Sequence, residues 1–395
     1  MPLLTRNFVL LVIAHFLQAA GYSSLLLLPL YLQHLGASRT EIGVVMATAG
    51  VSGLLSRPLV AWGLDGFGRK PTLLVGTVTL VVGMALIGAV DSIGWVVYLA
   101  RAIIGIGIGA LFTGYFTFAA DVIPVSRRTE GLALFGISGL VPLLVNPLSD
   151  QIGVGAPDLR WFLPIVAIVV ASSALVLLWL PEPSSKPAEH KSIRGALTAL
   201  RQRPLWPVWF ATTAFSAMVA VFMTFVTVAA ERRGVDDAAS HWFAYAVGAV
   251  LVRAIGARLP DRVGPANLIA PAMAVYVVGL MLAAQAVSFE DFLVASLCAG
   301  LGHGYCFPIL TSQVVTRASE AFLGSALALF TALWGVSELI VSPLFGAVAD
   351  HHGDEAMFWL AAASGIACMA LWLVLEHRLG GATDRRPTVE PPSSA

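Results

Sequence analysis

The stretch RPLVAWGLDGFGRK at residues 57–70 decides the fold, because the second half of the chain repeats it as RAIGARLPDRVG at residues 253–264. Four residue types hold the same internal positions in both copies: Arg57, Ala61, Asp65 and Gly68 in the first, and Arg253, Ala257, Asp261 and Gly264 in the second. The copies are displaced by 196 residues, almost half of the 395-residue chain. A period of that length indicates two similar halves and not a string of short repeats.

Two further matches keep nearly the same displacement. The glycine-rich GIGIG at residues 105–109 returns as GLGHG at 300–304, shifted by 195 residues. The tripeptide NPL at 146–148 returns as SPL at 342–344, shifted by 196. Three matches in one register predict that the whole chain is an internal duplication.

The composition places this duplication in a membrane. Hydrophobic residues are 58% of the chain, charged residues are 12%, and the mean hydropathy is +0.84. An ordinary soluble domain is about 25% charged, and soluble cores stop growing beyond roughly 250–300 residues. Lipid must therefore cover much of the apolar surface, which predicts an all-α integral membrane protein.

Composition and motifs also exclude several classes of function. The net charge is zero, so no basic field favours nucleic acid. Cys298, Cys306 and Cys368 lie in apolar stretches without metal-ligand spacing, so we expect no disulfide framework, metal site or cofactor. The motifs of zinc enzymes, serine hydrolases and phosphate-binding loops are absent, which predicts no catalytic residues and no enzyme activity.

A transmembrane helix needs about 20 mostly apolar residues. A scan at that length predicts twelve spans. They lie near residues 8–32, 40–62, 71–90, 94–119, 127–149, 161–180, 205–229, 241–257, 266–286, 291–314, 322–347 and 356–376. The second opens with a capping box from Ser38 to Glu41, and Pro71 lies in the first turn of the third, a position that tolerates proline.

Basic residues in the connecting segments set the orientation. With both termini cytoplasmic, 16 of the 23 Lys and Arg residues lie in inside segments and 4 in outside segments. Arg57, Arg101 and Arg253 lie within spans. The excess on one side follows the positive-inside rule and predicts cytoplasmic termini.

The polar interruptions divide the chain into four parts. Residues 1–180 form an N-terminal six-helix half and residues 204–378 a C-terminal one. Residues 181–203, rich in Pro, Ser, Lys and Arg, are predicted to be a cytoplasmic linker. Residues 379–395 are predicted to be a disordered cytoplasmic tail.

Three motifs carry a family resemblance. Residues 61–70 resemble the Gly-x-x-x-Asp-Arg-x-Gly-Arg-Lys loop between helices two and three of the major facilitator superfamily, although alanine and glycine replace the first glycine and the first arginine. Residues 101–107 resemble the fourth-helix motif of that family, and residues 121–128 its connection between helices four and five. The resemblance covers residues 6–378. Smaller features, such as LLSRP at 54–58, are similar to bacterial arabinose-efflux-permease-like exporters.

The resemblance implies the major facilitator fold, with two parallel six-helix repeats about an axis along the membrane normal and a substrate site between them. It implies a multi-pass protein of the bacterial inner membrane that acts as a monomer. The expected partners are a small-molecule substrate, protons and the lipid bilayer, and not nucleic acid.

Ionisable side chains inside spans are the candidates for proton coupling. Glu338 is the one acid well inside an apolar span, and it could exchange a proton or simply neutralise a buried arginine. His303 and His15 could join a proton relay because histidine titrates near neutral pH. Hydrogen-bonded packing is an equal alternative for both histidines.

Candidate substrate-binding residues lie within predicted spans, of which the resemblance implies that the first and tenth line a cavity: Gln18, Arg101, Tyr115, Tyr305 and Trp334. Arg101 could bind an anionic group, tune a nearby acid, or extend to the membrane interface. The aromatic side chains could contact a ligand or pack in the core.

A third group is implied to gate the cytoplasmic side: Arg57, Asp65, Gly68, Arg69, Asp121, Arg128, Arg253 and Asp261. Asp65 would stabilise the positive end of a facing helix, and Arg69 and Arg128 could pair with Asp121. The alternative is that these are only inside-facing charges, which leaves the matched spacing in both halves unexplained.

Together these features predict a secondary active transporter that works by alternating access, with proton-coupled efflux by antiport of a small sugar-like or drug-like molecule. An uptake symporter for a sugar or organic acid could use the same residues. A membrane sensor that has the fold but does not transport is an alternative of a different class.

Overall fold

The computed structural model describes residues 3–124, 128–182, 198–256, 259–319 and 323–380. Over these ranges the chain is helical and contains no β-strand. The predicted linker is described only at its two ends, since residues 183–197 lie outside the described ranges. The predicted tail likewise lies outside them from residue 381 onward.

Nine α-helices lie in the described part of the N-terminal half. They are α1 Arg6–Ser24, α2 Leu28–His34, α3 Arg39–Leu55, α4 Arg57–Gly66, α5 Arg69–Ile87, α6 Trp95–Val122, α7 Arg128–Ile137, α8 Val145–Gln151 and α9 Leu159–Leu178. The capping box predicted at Ser38 and Glu41 is present at the start of α3, and Pro71 lies in the first turn of α5.

Six helices form the described part of the C-terminal half. They are α10 Trp206–Arg232, α11 His241–Ile255, α12 Leu259–Val263, α13 Pro265–Gln285, α14 Phe289–Arg317 and α15 Leu323–Leu375. Helix α15 covers two predicted spans. Gly353, with φ of 89°, interrupts it between them, because glycine adopts positive φ without strain.

Eight of the described helical segments are long and apolar enough to cross a membrane, or nine when the bent pair α3 and α4 counts as one. The pair bends by 43°. The all-helical membrane fold is therefore confirmed, while the total of twelve spans and the side of the termini stay predictions.

The fifth predicted span differs from expectation. A single helix was predicted over residues 127–149, but α7 ends at Ile137 and α8 begins at Val145, with a 3₁₀ turn at Val141–Leu144 between them. Pro142 explains part of this break because it has no N–H to donate to the carbonyl of Ser138. Hydropathy does not reveal the break because residues 131–145 contain no charged side chain.

Close helix contacts support the repeat. A Cβ on Gly105 would lie 2.2 Å from the carbonyl oxygen of Ala49 on α3, and a Cβ on Gly300 would lie 2.2 Å from that of Tyr245 on α11. The two glycines occupy matching positions in the GxGxG motifs. Each half thus needs glycine at the same crossing of its second and fourth spans.

Helices α3 and α15 form a long contact between the halves. A Cβ on Gly43 would lie 2.3 Å from the carbonyl oxygen of Ser342, and one on Gly346 would lie 2.3 Å from that of Arg39. The two backbones approach so closely that only glycine fits at these positions.

Candidate transport site

An ion pair between Arg101 and Glu338 joins the two halves. Arg101 comes from α6 and Glu338 from α15, and Nη2 lies 4.0 Å from Oε1. The guanidinium also donates to α3, from Nη2 to the Met46 carbonyl at 3.0 Å and from Nε to the Val45 carbonyl at 3.4 Å. Arg101 is 3% exposed. Its charge is therefore satisfied inside the protein and does not extend to the membrane interface.

Glu338 keeps free acceptor capacity. Its side chain is 34% exposed, and Arg101 is its one polar partner among the described residues. Tyr22 of α1 is 43% exposed, and its hydroxyl lies within electrostatic range of Arg101, Glu338 and Tyr245. These neighbours come from both halves, so the exposed surfaces of Glu338 and Tyr22 face the space between the halves. We call this space the inter-half site.

Aromatic side chains of the C-terminal half border the inter-half site. Nδ1 of His303 on α14 is hydrogen-bonded to the hydroxyl of Tyr245. The His303 ring stacks on Trp334, with centroids 6.0 Å apart, and Phe307 lies 5.4 Å from Trp334. Trp334 precedes Glu338 by four residues on α15, so the two share a helix face. We call Trp334, His303 and Phe307 the aromatic wall.

His15 and Tyr115 lie inside the N-terminal half. His15 Nδ1 is 2.7 Å from Ser138 Oγ, and its ring stacks on Phe135 at 4.4 Å and meets the edge of Tyr115 at 5.1 Å. His15 also lies seven residues before Tyr22, about 10 Å along the helix axis. The structure therefore places both residues in packing contacts and does not bring them to the Arg101–Glu338 pair.

Two more candidate ligand residues take different positions. Gln18 is 6% exposed and makes no hydrogen bond to the part of the chain that the structure describes. The hydroxyl of Tyr305 donates to the Gly256 carbonyl at 3.3 Å, which joins α14 to α11 within one half. Of the five candidate ligand residues, only Arg101 and Trp334 lie at the inter-half site.

The two repeated arginines both face the opposite half. Arg57 donates through Nη1 to the carbonyl of Ala328 at 2.8 Å and to the hydroxyl of Thr331 on α15. Arg253 lies against α7, where a Cβ on Gly136 would be 2.8 Å from its Nη1. Neither Thr331 nor Gly136 was predicted from the sequence to contact these arginines. Thr331 and Gly136 are 195 residues apart, which is close to the 196-residue displacement of the repeat. That spacing is the sequence signal from which the two contacts could have been predicted.

A cluster of charges occupies the predicted inner end of the N-terminal half. Arg69 Nε lies 3.0 Å from Asp121 Oδ2, and its Nη1 lies 3.9 Å from Asp65 Oδ1. Gly68, the N-cap residue directly before α5, has φ of 104°. Glu182, which was not predicted, accepts from the backbone N–H groups of Arg69 and Lys70. Asp65, Gly68, Arg69 and Asp121 lie in the N-terminal half, and Glu182 lies directly after it, so the cluster makes no described contact with the C-terminal half.

The side chains of Arg128 and Asp261 lie outside the described parts of the structure. Their predicted gating roles therefore stay predictions. Within the described ranges, no three His, Cys, Asp or Glu side chains form a group that could hold a metal ion.

Two aspartates join the halves at the predicted outer end, and neither was predicted from the sequence. Asp350 accepts from the N–H groups of Arg39 and Thr40 at 2.9 and 2.8 Å, where α3 begins. Asp150 at the end of α8 accepts from Ser240 Oγ at 3.0 Å and from backbone N–H groups where α11 begins. Each aspartate thus caps a helix of the opposite half.

The two outer aspartates differ in their charged neighbours. Asp350 lies 3.7 Å from Nη1 of Arg39. Asp150 has the acidic Asp237 nearby. Burial raises the pKa of Asp150 to about 6, the charge of Asp237 acts in the same direction, and the hydrogen bonds from Ser240 oppose it. Two further contacts join the halves at this end, Arg39 with Asp354 and Gln33 with Glu231, while Arg232 pairs with Asp354 within the C-terminal half.

The duplicated helical fold, with a charged pair where its halves meet, is that of a membrane transporter. A sequence model of the Major Facilitator Superfamily matches residues 10–340 and, in a second overlapping match, 235–394. The chain belongs to the major facilitator superfamily, as its motifs predicted. It is thus a multi-pass membrane protein of a secondary-transporter family.

Relatives and solved structures agree with this assignment. The chain is 26% identical over 371 residues to the MFS-type transporter YhhS of Escherichia coli, covering 91% of this chain and 88% of YhhS. It is 25% identical over 365 residues to a probable nitrate/nitrite transporter, NarK2 of Mycobacterium tuberculosis, covering 86% and 88%. The crystal structure of a mutant of the nucleoside transporter NupG superposes with a TM-score of 0.79 at 14% identity, covering 94% of this chain and all of that chain.

Proposed function

We propose that this protein is a proton-coupled exporter of a small organic molecule in the bacterial inner membrane, and that it works as a monomer by alternating access. The observation that carries the proposal is the Arg101–Glu338 pair across the halves. A carboxylate between two moving bodies can alternate between a paired, ionised form and a protonated form. Such a group couples proton movement to the motion of the halves.

The position of Glu338 supports this role. The carboxylate is 34% exposed to the inter-half site, and its pairing distance to Arg101 is 4.0 Å. Arg101 is held by two carbonyls of α3 whether or not the acid is ionised. Protonation of Glu338 would therefore release the contact between α6 and α15 without leaving the arginine unsatisfied.

The gating residues complete the cycle that we propose. The contacts at the predicted outer end, from Arg39, Asp150 and Asp350, hold that side closed in this conformation. In the opposite conformation, the cluster of Asp65, Arg69 and Asp121 would face the C-terminal half. Arg57 already contacts α15 there.

The direction of transport is tested in membrane vesicles of both orientations, with ethidium, L-arabinose and benzoate as radiolabelled drug-like, sugar-like and acidic probes. An exporter accumulates its probe in everted vesicles whose lumen respiration has acidified. An uptake symporter accumulates it in right-side-out vesicles instead. Accumulation only in right-side-out vesicles would contradict the proposed direction of transport and would favour the uptake symporter.

Proton coupling is tested with Glu338→Gln, which keeps the shape of the side chain and removes its proton. We expect accumulation driven by the pH gradient to fall by more than about tenfold, while exchange of the probe across the membrane without a gradient continues. Glu290→Gln, at the exposed start of α14, is the matched control. Unchanged gradient-driven accumulation by the Glu338 variant would overturn the coupling role.

A further inference from the structure

The geometry points to Arg253 as the residue that recognises the substrate, and to an organic anion, a carboxylate on a flat apolar body, as the substrate class. This inference rests on the proposed transport function and deepens it. It begins with the charges that the described spans contain between the halves: Arg57, Arg101, Arg253 and Glu338.

Two of the three arginines are satisfied by the protein. Arg101 pairs with Glu338 and donates to two carbonyls of α3. Arg57 donates to the Ala328 carbonyl and the Thr331 hydroxyl. Charges buried in a membrane protein are paired or hydrogen-bonded because the cost of desolvation is otherwise large.

Arg253 is the exception. Its one hydrogen bond among the described residues runs from Nε to the Gly304 carbonyl and is long, at 3.4 Å. No described carboxylate forms an ion pair with it. Its two terminal nitrogens, which form the flat face that pairs with a carboxylate, have no acceptor in the described chain. Among the described residues, Arg253 is therefore the one arginine between the halves whose terminal nitrogens have no acceptor.

The position of Arg253 fits a ligand-binding role. Its charge acts on the hydroxyl of Tyr245 and on the His303 ring, so the guanidinium lies near the aromatic wall. It also lies against Gly136 of the other half, where a methyl group would be 2.8 Å from Nη1. A ligand bound to Arg253 would contact both halves, as a transported substrate must.

The aromatic wall defines the remainder of the ligand. Trp334, His303 and Phe307 are each partly exposed, and neighbouring rings lie 5.4 to 6.4 Å apart. Flat apolar groups stack well on such a surface. The indole N–H of Trp334 is a further buried donor without an acceptor in the described structure. The unsatisfied donors of Arg253 and Trp334 on this side of the site favour a ligand that carries an acceptor group.

Equilibrium binding of radiolabelled aromatic carboxylates to the purified full chain in lipid nanodiscs tests the inference. Benzoate, cinnamate and indole-acetate are compared with the amide of each, with benzylamine and with nitrate. We expect at least one carboxylate to bind about tenfold or more tightly than its amide, since a buried guanidinium loses a charged partner with the amide. Benzylamine should bind more weakly still, and nitrate should compete only weakly because it has no apolar body.

Substitutions of Arg253 test whether the preference for carboxylates over amides depends on this side chain. Arg253→Gln should weaken carboxylate binding at least about tenfold and remove the preference over the amide, while Arg253→Lys should keep part of it. Arg160→Gln, at a peripheral arginine stacked on Trp161, is the control and should bind as the native protein does. Binding is measured at equilibrium without a pH gradient, so failure of this inference is distinguishable from failure of the proposed coupling, which is measured only in gradient-driven accumulation.

Three results would overturn the inference: no carboxylate binds at millimolar concentration, the amides bind as tightly as the carboxylates, or Arg253→Gln keeps native affinity. Competition by nitrate as strong as that by the carboxylates would also overturn it, because recognition would not then involve the aromatic wall. If Arg253→Gln does not fold, Arg253→Lys and the amide comparison in the native protein decide the question.

Discussion

The environments of Arg57 and Arg253 show how a duplicated scaffold can use one residue in two ways. Both arginines come from the same position of the repeat, and both contact the opposite half. Arg57 meets the hydroxyl of Thr331, whereas Arg253 meets Gly136, which offers no side chain. Among the described contacts, Arg57 connects α4 to α15, whereas the terminal nitrogens of Arg253 have no acceptor. The repeat thus places an arginine at both positions, and the facing residue differs between them, Thr331 in one case and Gly136 in the other.

We expect the largest effect when Arg253 is given a threonine neighbour like the one that Arg57 has in Thr331. In Gly136→Thr, the new side chain would collide with Nη1, since even a Cβ would lie 2.8 Å away. We expect binding of aromatic carboxylates to fall by about thirtyfold or more, because the guanidinium is displaced and its donors are partly used.

The control is Gly153→Thr, or Gly153→Ala if the former is unstable, at a turn where a Cβ would have no described heavy atom within 4 Å. Any loss of carboxylate binding in the Gly153 variant results from backbone strain alone, since Gly153 has positive φ. Native carboxylate affinity in Gly136→Thr would show that the space beside Arg253 is not used by ligand.

Removing the partner of Arg57 should have a smaller effect. Thr331→Ala leaves the Ala328 carbonyl as acceptor and costs one hydrogen bond, about 1 kcal/mol. We expect the population with α4 and α15 apart to rise about fivefold, measured by spin-label distances between the two helices. Carboxylate affinity should change little. A large loss of affinity with unchanged distances would instead make Thr331 part of the ligand site.

The smallest expected effect is at the outer end, where Asp150 and Asp350 each cap a helix of the opposite half. The folded pKa of Asp150 is about 6, above its usual value near 3.9, so the closed conformation binds the proton more tightly than an open, hydrated one. Outer closure is therefore favoured as the pH falls through 6 and loses this contribution above it. The collision rate of a water-soluble paramagnetic relaxant with a nitroxide label on Ala238→Cys should be about threefold lower at pH 5 than at pH 7.5.

Asp150→Asn in the same background should remove the pH dependence, because the amide does not titrate in this range. The thiols of Cys298, Cys306 and Cys368 must first be replaced or shown not to react. A pH dependence that survives in the Asp150→Asn background would assign the effect to another group.

Much of the fold follows from local sequence signals, and the contacts of the site do not. The length of the apolar stretches predicts the membrane-spanning helices, and the capping box at Ser38 predicts where α3 begins. Glu338 and Arg101 were each found as charges in apolar spans. Their pairing was not predicted because 237 residues separate them, and local patterns do not set how helices from different halves face each other.

The residues that were missed share this physical cause. Asp150, Asp350 and Glu182 lie at helix ends or in loops, where acidic residues are common for many reasons. Only the three-dimensional arrangement shows that their carboxylates cap or pair with distant backbone groups. The break between α7 and α8 was missed because hydropathy is insensitive to hydrogen bonding.

The two outer caps also determine how much work the opening of the protein requires. Each is a carboxylate that accepts from backbone N–H groups at a rim that water can reach. When the halves separate there, water replaces each lost bond, so opening costs about the net value of a hydrogen bond and not the desolvation of a bare charge. Contacts of this strength can hold the rim closed and still open at thermal energies, so we expect the rim not to limit the rate of the proposed transport cycle.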